Sequence, residues 1–427
     1  MKSIVTTITS NVFLAVFLTV FTACHTDRRL DALEQSGENR TELEKVLIYY
    51  QDDGQKQQAA QFLLENMDAH YTLESPAISR FHQELDSLYA FIKGSPKSEC
   101  AEIVFPVETE LRGKTVPIDT VLFHYPYRME VRNDRVVIED LHGQNHFYHL
   151  FTYPDFRYLS SFGQRGEGPE EMLTVDDFRW DGQTLWALDN IKSELVRWEL
   201  NKSRDRMLRM ECITLDKATF RALDIVPFQG NSFLIPNYSG DSRFCQVDRK
   251  GKLIKKWGEI PTERKDDLQK YPFAYGYGWR SFIDYSSKNG TLAAATQFGE
   301  VLEIWNVKKK THKVVRGKLG EPKFEISGSY AIPASVKGYN DIQVTNSAIY
   351  VIFRGIPIKK ERLSYQRGNR MPEGGNTIRV FSLDGEPLKE YKLDHSVCGI
   401  WVMEEEGQLW TLDVNSDDPI VVYDLKG

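Results

Sequence analysis

Thr184-Leu185-Trp186, followed by Trp198-Glu199-Leu200, is the stretch that decides the fold. The first triplet is the apolar centre of a short strand, and the second ends the next strand on an aromatic-x-Leu pattern. One apolar strand ahead of this pair and another after it make a four-stranded unit with Asn, Asp and Gly at its turns. The middle strand returns as Arg135-Val136-Val137, Ser232-Phe233-Leu234, Thr291-Leu292-Ala293, Ala348-Ile349-Tyr350 and Gln408-Leu409-Trp410. From Val136 through Leu185, Phe233, Leu292, Ile349 and Leu409 the spacings are 49, 48, 59, 57 and 60 residues. The aromatic ending returns in Ile304-Trp305-Asn306-Val307, Val380-Phe381-Ser382-Leu383 and Val422-Tyr423-Asp424-Leu425.

Six such units of about 55 residues predict an all-β six-bladed β-propeller over residues 98–427. A two-sheet sandwich would not repeat so evenly, and the turns of a β-helix are shorter. The sixth unit reaches only its third strand before Gly427. An open ring would leave exposed sheet edges. An early strand, within Glu102–Val107 or Thr120–His124, is therefore expected to complete the last blade.

The segment from Phe105 through Leu200 resembles the TolB-like six-bladed propeller family of Gram-negative envelope lipoproteins. Its most specific piece is Phe162-Gly163-Gln164-Arg165-Gly166-Glu167-Gly168-Pro169-Glu170-Glu171, which matches a Gly-x-x-Gly-x-Gly-Pro-x-Glu signature. The resemblance implies the propeller fold and an envelope location, and it transfers no catalytic residues.

The start of the chain supports that address. Residues 1–23 read as a lipoprotein signal peptide: Lys2 is a short positive region, and an apolar run extends from Val12 to Phe21. That run is shorter than the roughly 18–20 residues of a spanning helix. Phe21-Thr22-Ala23-Cys24 resembles a bacterial lipobox, in which Cys24 becomes the acylated N-terminus. Each acyl methylene contributes about 0.8 kcal/mol to membrane binding, so two or more chains anchor stably. The expected location is the cell envelope, lipid-anchored on the periplasmic face or at the surface of the outer membrane. Residues 24–97 read as a small α-helical N-terminal segment, with apolar residues at helical spacing at Leu43, Val46, Leu47 and Tyr50, and again through 59–92.

Across 427 residues the net charge is −7, which argues against a general nucleic-acid binder. Cys100, Cys212, Cys245 and Cys398 show no Cys-x-x-Cys pairing, so buried thiols are the default and one disulfide stays open. No nucleophile elbow, His-Glu-x-x-His or Walker loop occurs. No cofactor and no metal site is expected. His142, His146 and His149 lack metal-ligand spacing on a strand. Asp413–Asp418 departs from a calcium loop at its glycine position and reads as a hairpin turn.

In a propeller the fourth-to-first and second-to-third connections share one face, here called the top. The unusual loops all fall there, and loops on a rigid scaffold concentrate function. Gly163–Glu171 reads as a structural turn carrying Arg165 and Glu167 as binding candidates. The loop 271–280 offers Tyr275, Tyr277, Trp279 and Arg280, which would stack on a sugar or fill a protein hot spot unless the rings fold half-buried over the blade tops. The insertion 354–376 carries six Lys or Arg, including Arg362 and Arg367, against two Glu. It reads as a solvated loop or as a surface for an acidic partner. Asp176-Asp177 and Glu404–Glu406 read as solvated. The expected function is a binding or scaffold module for an envelope protein or glycan. The alternative is a hydrolase or lyase with a metal held at the central channel.

Overall fold

The computed structural model describes residues 40–49, 102–118, 120–328 and 330–426. The chain divides into two units, Met1–Lys97 and Ser98–Gly427. In the first, Arg40–Tyr49 forms helix α1, with an Arg40 Nε–Glu44 Oε1 pair at 2.9 Å across one turn. The signal peptide, Cys24, Cys100 and the helical spacing at 59–92 lie outside the described residues.

The second unit is a six-bladed propeller. Blade 1 comprises Pro126–Arg132, Arg135–Asp140, His146–Thr152 and Tyr158–Gln164; blade 2 comprises Asp177–Asp181, Thr184–Asp189, Glu194–Leu200 and Met207–Thr214. Blade 3 runs Val226–Phe228, Ser232–Pro236, Phe244–Asp248 and Leu253–Trp257; blade 4 runs Ser281–Ser286, Thr291–Thr296, Val301–Asn306 and Thr311–Arg316. Blade 5 is Val336–Val344, Ala348–Pro357, Gly375–Ser382 and Pro387–Val397, and blade 6 begins Gly399–Met403, Gln408–Leu412 and Ile420–Asp424.

The second strands are apolar on both faces because each blade is packed between two others. In blade 2, Leu185 and Ala187 enter the core shared with blade 1, while Trp186 and Leu188 enter the core shared with blade 3. Alternation along a strand thus feeds two interfaces. Six such clusters run round the ring, and the last joins Trp410 and Leu412 of blade 6 to Met129 and Val136 of blade 1. The six anchors Val136, Leu185, Phe233, Leu292, Ile349 and Leu409 are all fully buried.

The ring closes with a strand from neither expected window. Lys114–Val116 pairs antiparallel with Ile420–Asp424 and supplies the missing outer strand of blade 6. Just before it, Glu108–Leu111 adds a fifth, parallel strand to blade 5. Ile118 then packs into the blade 6–blade 1 core. The closing strand has only three residues, two of them polar, so no alternating pattern marks it.

Two expected loops are helical. Lys265–Lys270 and Pro272–Gly278 form helices α2 and α3, with Pro272 at the first turn of α3. The blade 5 insertion holds helix α4, Ile358–Gln366. A two-stranded hairpin, Phe324–Ser327 with Tyr330–Pro333, covers α3.

Candidate functional site

The innermost strands set the chemistry of the axis. Their acidic side chains accept backbone N–H groups from the next blade: Trp180 N donates to Glu130 at 3.0 Å, Ile225 N to Asp177 at 2.9 Å and Ile283 N to Asp224 at 2.9 Å. Val344 N donates to Asp284 at 2.6 Å and Ile400 N to Asp341 at 3.0 Å. Two guanidiniums lie among these carboxylates. Arg128 is paired with Asp177, with Asp341 at 2.9 Å and with Asp224 at 3.7 Å. Arg179 reaches Glu130 at 3.2 Å and Asp224 at 3.1 Å, and donates to the carbonyl of Ile283 at 2.9 Å. All of these side chains except Asp284 are buried. The network links all six blades round the axis, from Glu130 of blade 1 to Ile400 of blade 6.

Asp177 is therefore not solvated as the sequence suggests. Period-two alternation marks a polar face without saying whether that face meets water or the axis. Burial pushes Glu130 up to about 7 against the opposing pull of Arg179. Burial also holds Glu139 far above the usual carboxylate range, and neither of its oxygens has a partner among the described residues. Apart from Glu139, the innermost carboxylates that a metal-centred alternative would need, Glu130, Asp177, Asp224, Asp284 and Asp341, are already held by guanidiniums or backbone N–H groups. No metal-holding group of three or more His, Cys, Asp or Glu occurs among the described residues. The donor set does not fit a metal.

The top mouth is a cavity of about 200 Å³ lined by Tyr125, Tyr127, Arg280, Lys337, Arg354 and Glu373, among others. Arg280 lies over the rings of Tyr277 and Phe298 at 4.6 and 5.3 Å, and its buried Nε has no partner among the described residues. Lys337 and Arg354 share Glu361 of α4, at 2.7 and 2.6 Å, so α4 is tied to the rim of this cavity. Arg362 and Arg367 are exposed on and just after that helix. Arg280 thus lines the mouth, and the helix that carries Arg362, with Arg367 just after it, is tied to the same rim through Glu361.

Tyr275 and Trp279 are core residues instead of a docking surface. Trp279 is fully buried with Ile260 and Val301, and the Tyr275 ring meets Phe324 edge-on at 5.0 Å. The glycines between them explain the packing. A Cβ on Gly276 would lie 2.4 Å from the Tyr238 carbonyl oxygen, and one on Gly278 would lie 2.4 Å from the Phe324 ring. Only glycine allows the helix so close to its neighbours. Tyr277 stays half-exposed.

Arg165 and Glu167 are exposed on the turn between blades 1 and 2 and do not line the mouth. Gly163 takes φ +68° there, and Lys192 Nζ donates to the carbonyls of Gly168 and Glu171 at 2.7 and 2.6 Å. Asp413–Asp418 is likewise structural: Asp413 accepts Asn415 N at 2.9 Å, and Asp418 accepts Ile118 N at 3.3 Å. His149 is buried against Ser161 Oγ at 2.8 Å, and burial pushes it down to about 4.

Residues 105–405 match the TolB-like 6-blade propeller-like family. The chain belongs to that family. No curated protein sequence matches it. Among solved structures, this TolB-like propeller is similar to a member of the DUF4221 family from Bacteroides vulgatus, at 12% identity over 74% of this chain and 96% of that one, TM-score 0.46. It is similar to a streptogramin B lyase at 12% identity over 74% and 88%, TM-score 0.41. It is also similar to BamB from Moraxella catarrhalis at 9% identity over 70% and 84%, TM-score 0.36. These are likenesses of fold alone.

The TolB-like propeller has a second, larger opening that the sequence reading misses. On the bottom face a bowl of about 1030 Å³ is lined by the first-to-second turns of all six blades, with Glu130, Arg179 and Asp284 lining it too. The signal was available in the strand-one endings Arg179-Trp180, Asp284-Tyr285 and Ile400-Trp401. These aromatic residues read as strand interior until the ring geometry places their ends together. Cys212, Cys245 and Cys398 are free, and burial pushes each thiol up, to about 12, 11 and 12. No described helix is long and apolar enough to cross a membrane.

Proposed function

We propose that this TolB-like protein is an envelope lipoprotein, anchored through acylated Cys24, whose propeller binds an acidic partner, protein or glycan, on its top face. The observation that carries the reading is the cation set around the top mouth. Arg280 is a half-buried guanidinium over two aromatic rings with an unpartnered Nε. Beside it, α4 presents exposed cations on a protein whose net charge is −7. A guanidinium in that setting favours an anionic group, because partial burial weakens screening. The axis behind the mouth is filled by side chains, which supports a docking scaffold in preference to a conduit.

The test is affinity capture from detergent-solubilised envelopes at low and high salt. Bait protein would be wild type or carry Arg280→Ala with Arg362→Ala and Arg367→Ala. A partner retained by wild type at low salt, released by salt and lost in the variant is the expected result. A partner captured equally by both baits would refute the top-face reading. The anchor is tested separately, since Cys24→Ser should move the protein from the membrane to the soluble fraction.

A further inference from the structure

We propose that the bowl on the bottom face is a binding site for a neutral oligosaccharide. It lies at the opposite end of the axis from the cationic mouth and shares no residue with it. Its volume, about 1030 Å³, reaches the upper end of small-ligand pockets and gives room for several sugar rings.

Three half-exposed aromatic side chains stand on alternate blades round this bowl: Trp180 on blade 2, Tyr285 on blade 4 and Trp401 on blade 6. An aromatic face accepts the C–H face of a sugar ring, and the polar edge of the same bowl accepts its hydroxyls. Trp180 Nε1 is a buried donor without a partner among the described residues. Amides of Asn133, Gln229 and Asn346 lie on the lining turns.

Charge decides the class of ligand. The lining carries five Lys or Arg against six Asp or Glu, so the bowl is nearly neutral as a whole, and most of its charged groups are held by neighbouring protein atoms. Arg249 pairs with Asp181 at 2.5 Å and Arg179 with Glu130 at 3.2 Å. Arg132 donates to the Gly182 carbonyl at 2.8 Å, and Lys308 to the carbonyls of Ser287 and Lys288 at 3.0 and 2.8 Å. Glu404 accepts from Thr345 and Ser347 at 2.5 and 2.6 Å. A ligand entering such a site gains from shape, stacking and hydroxyl hydrogen bonds, and little from net charge. That chemistry belongs to a neutral polyhydroxyl chain.

The experiment titrates the full-length protein with cellotetraose, maltotetraose, mannotetraose and chitotetraose, and with tetragalacturonate as the acidic control. Intrinsic tryptophan fluorescence and saturation-transfer NMR report binding. At least one neutral sugar should bind saturably and independently of salt. Trp180→Ala or Trp401→Ala should weaken that binding about tenfold or more, Trp180→Phe should restore it, and Arg280→Ala should leave it unchanged. Ser287→Trp, an exposed substitution that fills the bowl without touching the core, should abolish it. Failure of all four neutral sugars, binding of tetragalacturonate alone, or binding indifferent to Ser287→Trp would each overturn the proposal. Loss of the top-face partner in the capture experiment would leave it standing.

Discussion

Glu130 shows how a single carboxyl serves the axis. It accepts the Trp180 backbone N–H, faces Arg179 and is buried, and burial wins, raising it from 4.5 to about 7. The folded protein therefore keeps a proton that the unfolded chain releases above about 4.5. Its contribution to stability is fully present below that pH and is lost as pH rises through about 7, a swing of about 3 kcal/mol. Glu130→Gln should flatten this part of the profile, so urea midpoints at pH 5 and pH 8 should converge in the variant. Unchanged divergence would show that Glu130 is not the titrating group. Trp279 gives a second test at this scale. As a fully buried ring it should cost about 3–5 kcal/mol when cut to Ala, whereas half-exposed Tyr277 should cost under about 1 kcal/mol, both read by thermal unfolding.

Elements differ in how plainly the chain announces them. The second strands were legible because each feeds two inter-blade cores, which forces continuous apolar runs such as Leu185-Trp186-Ala187-Leu188. The third-strand aromatics Trp198, Trp305, Phe381 and Tyr423 were legible for the same reason, since all four are buried. The closing strand was not, because Lys114-Thr115-Val116 is short and lies at an outer edge where pairing needs backbone groups more than side chains. Helix α3 was hidden by its glycines, whose role is close approach instead of chain flexibility. Replacing Lys114-Thr115-Val116 with three glycines should lower the melting temperature and promote association through the bared edge of Ile420–Asp424. Calorimetry with light scattering reads both effects, and an unchanged melt would mean that the ring does not depend on this strand.

At the scale of the whole molecule, the propeller is a rigid ring with a filled axis and two chemically unlike ends. The top carries Arg280 and the exposed cations of α4, while the bottom carries nearly balanced charges and alternate aromatics. Strand order alone fixes that the loop of Arg280 and the blade 5 insertion share a face, and the Glu361 pairs with Lys337 and Arg354 tie that insertion to the mouth that Arg280 lines. The sequence did not reveal the axis or the bowl, since both form only when strand-one ends from separate blades meet. If the top is the docking face, raising salt should weaken partner binding steeply, as expected for exposed charges within about a Debye length of 10 Å at 0.1 M. A salt-independent partner would argue for a different surface.

Site-specific photo-crosslinking in intact cells tests the docking face most directly. A photoreactive residue would replace Tyr365, which is 74% exposed on α4, or Ile254, which is 53% exposed on the outer strand of blade 3. A discrete adduct is expected from position 365 that disappears with Arg280→Ala, Arg362→Ala and Arg367→Ala, and none from position 254. Adducts from position 254 alone would contradict the top-face reading.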